Sequence, residues 1–146
     1  MKAVIVFDSV YGNTEKIARA IGAAIGGEVQ VVRVTEAQAS ALQGLDLLIV
    51  GGPTQGARPR PELQAYLKQL PALNGLKVAA FDTRLTWRVL KIMGFAAAKI
   101  ADALKGKGGT LVAPPEGFIV GGAAPSKLAD GELERAAAWA QAIVKS

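Results

Sequence analysis

Cysteine and histidine are both absent from this chain of 146 residues. Without cysteine there can be no disulfide, no thiolate nucleophile and no thiolate ligand for an iron–sulfur cluster. Without histidine the commonest general base and the commonest transition-metal ligand are missing as well. We therefore expect no metal site, and any demanding chemistry would have to come from a bound organic cofactor, which would leave the chain without a catalytic residue of its own.

Long apolar runs are also missing, although 51% of the residues are hydrophobic. No stretch approaches the roughly 18 consecutive apolar residues of a membrane span. A strand-like run begins at Lys2, without the features of a secretory leader before it. The length suits one compact domain with a proper core. We expect a single cytoplasmic domain over residues 1–146, with no transmembrane segment.

Short apolar blocks alternate with segments of helical periodicity along the whole chain. The strand-like blocks are 2–7, 28–34, 46–52, 77–83 and a last one split into 109–112 and 117–120. The helical segments are 14–25, 36–42, 61–70, 96–104 and one that Asp130 would cap. The connections between strands are too long for hairpins, so the pattern predicts a three-layer α/β domain with a doubly wound, five-stranded parallel sheet.

The loop after the first strand combines two hydroxyl residues with a glycine, directly before a helix. In such a sheet a ligand normally lies beyond the carboxyl ends of the strands. Ser9 and Thr14 can donate from their hydroxyls, and Gly12 allows close approach of the backbone. Neither the lysine of a Walker A motif nor a G-x-G-x-x-G fingerprint is present. A single phosphate monoester held by neutral donors fits best; an ordinary turn with a helix cap is the alternative.

The segment Ser9–Thr14 resembles the phosphate loop of the flavodoxins, whose family form is Ser/Thr-x-Thr/Tyr-Gly-x-Thr. The chain length and the order of its elements resemble that family too. The resemblance implies a flavodoxin-like sheet of order 2-1-3-4-5 with FMN at the point where the winding reverses. The residues that it places around the phosphate are Ser9, Val10, Tyr11, Gly12, Asn13 and Thr14.

A second loop, after the third strand, would line one edge of the isoalloxazine ring by the same resemblance. Its contact residues would be Pro53, Thr54, Gln55, Gly56 and Ala57, with a backbone group near Gly56 facing the flavin N5. A plain Gly/Pro-rich connector is the alternative. No aromatic residue occurs at positions 53–60, so the usual inner stacking partner of the ring is missing.

A third loop, after the fourth strand, contains one aromatic residue, Trp87. Flavodoxins usually stack an aromatic side chain on the outer face of the ring, so the resemblance implies that Trp87 lies there. Packing of Trp87 on the core is the alternative. Asp82 and Thr83 would bond the pyrimidine edge, and Arg84 completes the set of contacts expected from this loop. The other tryptophan, Trp139, is expected to be structural.

The net charge of +5 departs from the acidic flavodoxin carriers, and residues 58–107 alone carry +7. The basic residues nearest the second and third loops are Arg58, Arg60, Arg84, Arg88 and Lys91. They predict an acidic redox protein as partner, and they would favour the negatively charged reduced flavin. A solvated basic face is the alternative. No nucleic-acid recognition motif accompanies the charge, so no nucleic-acid partner is expected.

The leading interpretation is an FMN-binding electron-transfer protein in which the flavin does the chemistry. Two alternatives stay open: an FMN-dependent reductase, for example of quinones, and a flavodoxin-fold interaction module without flavin. Whether the purified protein is yellow separates the last from the others. Turnover of NAD(P)H with a quinone, in the absence of other proteins, separates the reductase from the carrier.

Overall fold

The structure is a computed structural model that describes residues 1–55, 58–85, 95–121 and 127–145. Its strands are β1 (Lys2–Phe7), β2 (Glu28–Arg33), β3 (Leu47–Pro53), β4 (Lys77–Leu85), β5 (Thr110–Leu111), β6 (Glu116–Gly121) and β7 (Lys127–Leu128). The α-helices in this part of the chain are α1 (Asn13–Ile25), α2 (Pro61–Gln69), α3 (Ala96–Gly106) and α4 (Glu132–Lys145). None of these helices is long and apolar enough to cross a membrane.

The strands form one sheet in the order β2-β1-β3-β4-β6-β7, and β5 lies beside β4 as well. All pairs are parallel except β6 with β7. The predicted order 2-1-3-4-5 is confirmed, with the fifth strand in two pieces that both pair with β4. The antiparallel strand β7 was not predicted, because a two-residue strand is too short to show periodicity.

Helices cover both faces of the sheet, as the near-continuous apolar blocks of β1 and β3 require. Ile5 and Ile49 belong to the core on the side of α1 and α4. Val4 and Val50 belong to the opposite core, under α2 and α3. Trp139 of α4 lies 6.2 Å from the ring of Phe81 and 6.0 Å from that of Phe118, in edge-to-face geometry, so it is a structural residue as expected.

Two local predictions were wrong. The segment 36–42 is not an α-helix; short 3₁₀ turns occupy Val34–Glu36 and Ala39–Leu42. A segment of seven residues forms too few helical hydrogen bonds to offset the free-energy cost of helix nucleation. Helix α4 begins at Glu132, and the carbonyl of Gly131 accepts its first helical bond, from the Arg135 amide at 3.0 Å. Gly131, with φ of 85°, therefore holds the position expected for Asp130.

Candidate functional site

The loops after β1 and β3 meet the end of β4 at the carboxyl edge of the sheet, and together they enclose a cleft of about 160 Å³. Ten of the predicted contact residues line this cleft: Ser9, Val10, Tyr11, Asn13, Thr14, Pro53, Thr54, Gln55, Thr83 and Arg84. Leu85 and Val120 line it too and were not predicted. Gly56, Ala57 and Trp87 lie outside the described residues, as do Arg88 and Lys91.

The loop after β1 turns through Gly12, whose φ of 90° lies in the left-handed region. A Cβ added there would meet no atom within 4 Å, so the backbone conformation, and not crowding, favours glycine. The Ser9 hydroxyl accepts a hydrogen bond from the Gly12 amide at 3.1 Å, which leaves its own hydrogen for another acceptor. The cap residue of α1, Gly12, makes no side-chain cap bond, so the positive end of the helix dipole can favour an anion at this loop.

Two buried hydroxyls join the first loop to β4. The Thr14 and Thr83 Oγ1 atoms lie 2.8 Å apart, and the two residues are 2% and 5% exposed. One hydroxyl must donate to the other, so one hydroxyl hydrogen of the pair remains for a third acceptor. Thr14 was predicted to contact the phosphate and Thr83 the pyrimidine edge of the ring; the structure brings the two residues into direct contact with each other.

Arg33, at the end of β2, holds the same loop from the other side. Its Nη1 donates to the Ser9 carbonyl at 3.2 Å, and its Nη2 pairs with Glu15 Oε1 at 3.0 Å. Sequence reasoning missed this residue. The signal was present, because a 2-1 strand order places the end of β2 beside the loop that follows β1, and Arg33 pairs in register with Phe7.

Asp8 connects the first loop to the end of the second. The residue is 4% exposed, and its Oδ1 accepts a hydrogen bond from Arg60 Nη1 at 2.9 Å. Its Oδ2 is buried without a partner among the described residues. Burial raises the pKa of the Asp8 carboxyl above 3.8, and the Arg60 charge opposes that shift. Arg60 also lies 3.6 Å from Glu62 Oε2, so its charge is largely compensated.

Asp82 has internal partners instead of a place in the cleft. It is fully buried, and Arg84 binds it through two hydrogen bonds, Nε to Oδ1 and Nη2 to Oδ2, both at 2.7 Å. The Ala97 amide donates to Oδ2 as well, at 2.9 Å. The Thr54 hydroxyl accepts from the neighbouring Ala96 amide at 2.9 Å. Asp82 and Thr54 thus hold the first turn of α3, and Arg84 is neutralised by Asp82.

The chemistry of the cleft suits a phosphate group. Its lining residues include hydroxyls, amides and one arginine but no carboxylate. The loop after β1 and the start of α1 supply a helix N-terminus, a left-handed glycine and the Ser9 and Thr14 hydroxyls. Such donors favour an anion without needing a lysine, because backbone amides and the helix dipole supply the positive potential.

Comparisons with known proteins agree with this geometry. A family model described as a flavodoxin domain matches residues 4–113. The structure of a flavodoxin from the domain Archaea superposes with a TM-score of 0.83 at 25% identity, covering 99% of this chain and 97% of that one. Flavodoxin 2 from Bacillus cereus gives a TM-score of 0.79 at 25% identity, with 99% of both chains covered.

Two longer proteins are similar to the chain over part of their length. Rubredoxin oxygen:oxidoreductase from Desulfovibrio gigas gives a TM-score of 0.75 at 22% identity, covering 99% of this chain but 35% of that one. An uncharacterized protein of Methanocaldococcus jannaschii is 32% identical in an alignment 119 positions long that covers 76% of this chain. The match spans 29% of the length of that curated relative.

Proposed function

Because the chain belongs to the flavodoxin domain family, we propose that it binds FMN at the carboxyl edge of the sheet and carries electrons between redox partners. The observation that supports this most is the first loop, where neutral donors and an uncapped helix converge beside a cleft without a carboxylate. FMN would supply the redox chemistry, since the side chains offer neither a thiolate nor an imidazole.

The proposed phosphate contacts are the Ser9 and Thr14 hydroxyls and the amides around Gly12. Arg33 positions this loop by donating to the Ser9 carbonyl. The proposed ring contacts are Pro53, Thr54, Gln55, Gly56, Ala57, Thr83 and Trp87. Asp82 is left out, because Arg84 and the Ala97 amide already take its oxygens.

An acidic redox protein remains the proposed partner, with a smaller set of contacts. Arg60 and Arg84 are paired with carboxylates, so they contribute little net charge. Arg58 is exposed, and no ion pair involves it within the described residues. Arg58, together with Arg88 and Lys91 of the third loop, would attract the partner at a rate that falls as salt rises.

A second candidate is a flavin-binding unit that works inside a larger redox assembly. It is favoured by the two longer proteins described above, because the matched segment is 29% of the uncharacterized relative and 35% of the rubredoxin oxygen:oxidoreductase. In both candidates the flavin site is the same, and only the source of the electrons differs. Measurement of NAD(P)H-driven quinone reduction by the purified protein distinguishes both candidates from a reductase, because a reductase would catalyse this reaction without any other protein.

The test of FMN binding compares FMN with riboflavin, which lacks the phosphate. Each lost hydrogen bond to a charged group costs about 1.5–3 kcal/mol, and about 1.4 kcal/mol corresponds to a tenfold change in Kd. The double variant Ser9→Ala/Thr14→Val should therefore bind FMN at least about 100-fold more weakly. Its riboflavin affinity, followed by quenching of flavin fluorescence, should change little.

Thr14→Ser is the matched control, because it keeps a hydroxyl at the same position and should retain most of the FMN affinity. Equal losses for FMN and riboflavin in the double variant would mean that the loop does not hold the phosphate. Purification without any flavin, followed by failure to bind added FMN, would favour the interaction module.

A further inference from the structure

A second concavity lies between α2 and α3 and shares no lining residue with the cleft at the strand ends. We call it the α2–α3 groove. Its volume is about 640 Å³. Pro59, Leu67 and Ala103 form its apolar floor. Its rim carries the four cationic residues Arg58, Lys68, Lys99 and Lys107, and no carboxylate lines it.

One cationic side chain of the rim, Lys107, is held in place by a hydrogen bond to α2. Lys107 Nζ, from the residue that follows α3, donates to the Lys68 carbonyl of α2 at 2.9 Å, so one cation bridges the two helices. Lys68 and Arg58 are exposed. The long stems of these side chains extend the apolar floor, while their charged ends stay in water. The groove therefore offers an apolar strip with positive charge on its border.

We propose that the α2–α3 groove binds an amphipathic α-helix of a partner protein, with an apolar face bordered by aspartate and glutamate. The apolar face would lie on Leu67 and Ala103, and its carboxylates would meet the rim at Arg58 and Lys68. Exposed positive charge at Arg58 and Lys68, with no carboxylate among the described lining residues, selects an acidic occupant and disfavours a basic one. The groove needs no flavin, so this proposal can hold or fail independently of FMN binding.

The shape of the groove favours a helix over a small amphipathic anion. Small-molecule sites bury about 70–90% of their ligand, whereas four lining residues of this groove, Arg58, Lys68, Lys99 and Gly106, are exposed to solvent. A third helix, in contrast, can lie between two others by packing its side-chain ridges into the space between them. A Cβ added to Gly106 would meet no atom within 4 Å, so this lining residue does not obstruct an occupant.

The test uses a capped helical peptide of about 16 residues, with leucines spaced i, i+3, i+4, i+7 and glutamates along both borders. Amide chemical shifts of the isotope-labelled full chain are followed during titration, with and without added FMN. Saturable shifts should centre on Leu67, Lys68, Ala103 and Gly106. The affinity should fall as salt rises. A peptide with lysine in place of every glutamate should not bind.

Arg58→Gln/Lys68→Gln should weaken peptide binding by about three- to tenfold, because two exposed charge pairs are lost. Lys127→Gln/Lys145→Gln is the matched control, since it removes two exposed positive charges on β7 and α4 and should leave the affinity unchanged. All four positions are exposed, so folding is expected to persist, and the amide spectra report it directly.

Three results would overturn the proposal. One is shifts that map away from α2 and α3; another is an equal loss of affinity in both double variants. The third is saturation of the groove by decanoate, one molecule per chain, without competition from the peptide. That result would identify the groove as a site for a small amphipathic anion.

Discussion

Replacing Arg84 by glutamine removes one half of an ion pair whose other half, Asp82, is completely buried. The two side chains share two hydrogen bonds of 2.7 Å, and the Ala97 amide is the other donor to Asp82. Loss of one partner from a buried pair costs about 3–5 kcal/mol, because the remaining charge stays desolvated. Since the Arg84 side chain is 21% exposed, water can replace part of it, and we expect about 3 kcal/mol.

Such a loss is a large part of the roughly 5–15 kcal/mol that stabilises a typical domain. It corresponds to a decrease in Tm of roughly 6–12 °C. Urea denaturation of Arg84→Gln, Asp82→Asn and the double variant gives the coupling free energy between the two residues. We expect the double variant to be more stable than Arg84→Gln, because the amide no longer carries a desolvated charge. A loss below about 1 kcal/mol in Arg84→Gln would refute this account of the pair.

The same variants test whether Arg84 tunes a bound flavin. Sequence alone suggested that Arg84 favours the reduced, negatively charged flavin. In the structure its charge is matched by Asp82, so the pair adds no net charge beside the cleft. The double variant should therefore leave the reduction potential of added FMN unchanged, whereas Arg58→Gln should lower it. A clear decrease in the double variant would mean that the Arg84 charge acts on the flavin after all.

The remaining predictions concern pH and the first loop. Burial raises the pKa of Asp8 above 3.8, so the wild type should gain unfolding free energy relative to Asp8→Asn as the pH falls from 7 through that raised pKa. The hydrogen bond from Arg135 lowers the pKa of Glu132 from 4.5, so Glu132→Gln should cost stability at pH 7, and this cost should vanish as acid protonates Glu132. Urea denaturation at several pH values tests both predictions. They would be contradicted if the unfolding free energies of both variants changed with pH in parallel with that of the wild type. Arg33→Gln should weaken FMN binding more than riboflavin binding, while Arg19→Gln, which removes another partner of Glu15, should affect neither.

Sequence patterns predicted what depends on neighbours along the chain. The apolar blocks of β1 and β3 and the glycine before α1 are local signals, and they sufficed to predict a doubly wound parallel sheet and the place of the first loop. The strand order came from the resemblance to the flavodoxins. Asp82 and Arg84 could also have been paired in advance, since residues two apart on a strand face the same side. Both were expected to face a flavin, because the resemblance assigned their roles before the geometry of β4 was considered.

Contacts between distant residues left no such signal. Asp8 and Arg60 are 52 positions apart, and nothing in either segment indicates that the other supplies its counter-ion. The same holds for Thr14 and Thr83, which are 69 positions apart. These contacts depend on how the loops are placed by the packed sheet, so they can be determined only from the folded chain.

The interruption of the fifth strand separates two parts of the sheet that a continuous strand would link. Lys77 of β4 pairs with Thr110 of β5, and Phe81 of β4 pairs with Glu116 of β6. The step between the two pairs is four residues on β4 but six residues on the partner segment. Each half of the strand therefore pairs with β4 in its own register. The second half, β6, also bonds to α4: Glu132 accepts a hydrogen bond from the Ile119 amide at 2.7 Å, and Arg135 donates to the Gly117 carbonyl. In an unbroken strand, a gain or loss of one residue would turn every later side chain to the other face. Here the segment 112–115 can absorb an inserted or deleted residue. Val120, which lines the cleft, would then keep its orientation when the chain before it becomes longer or shorter.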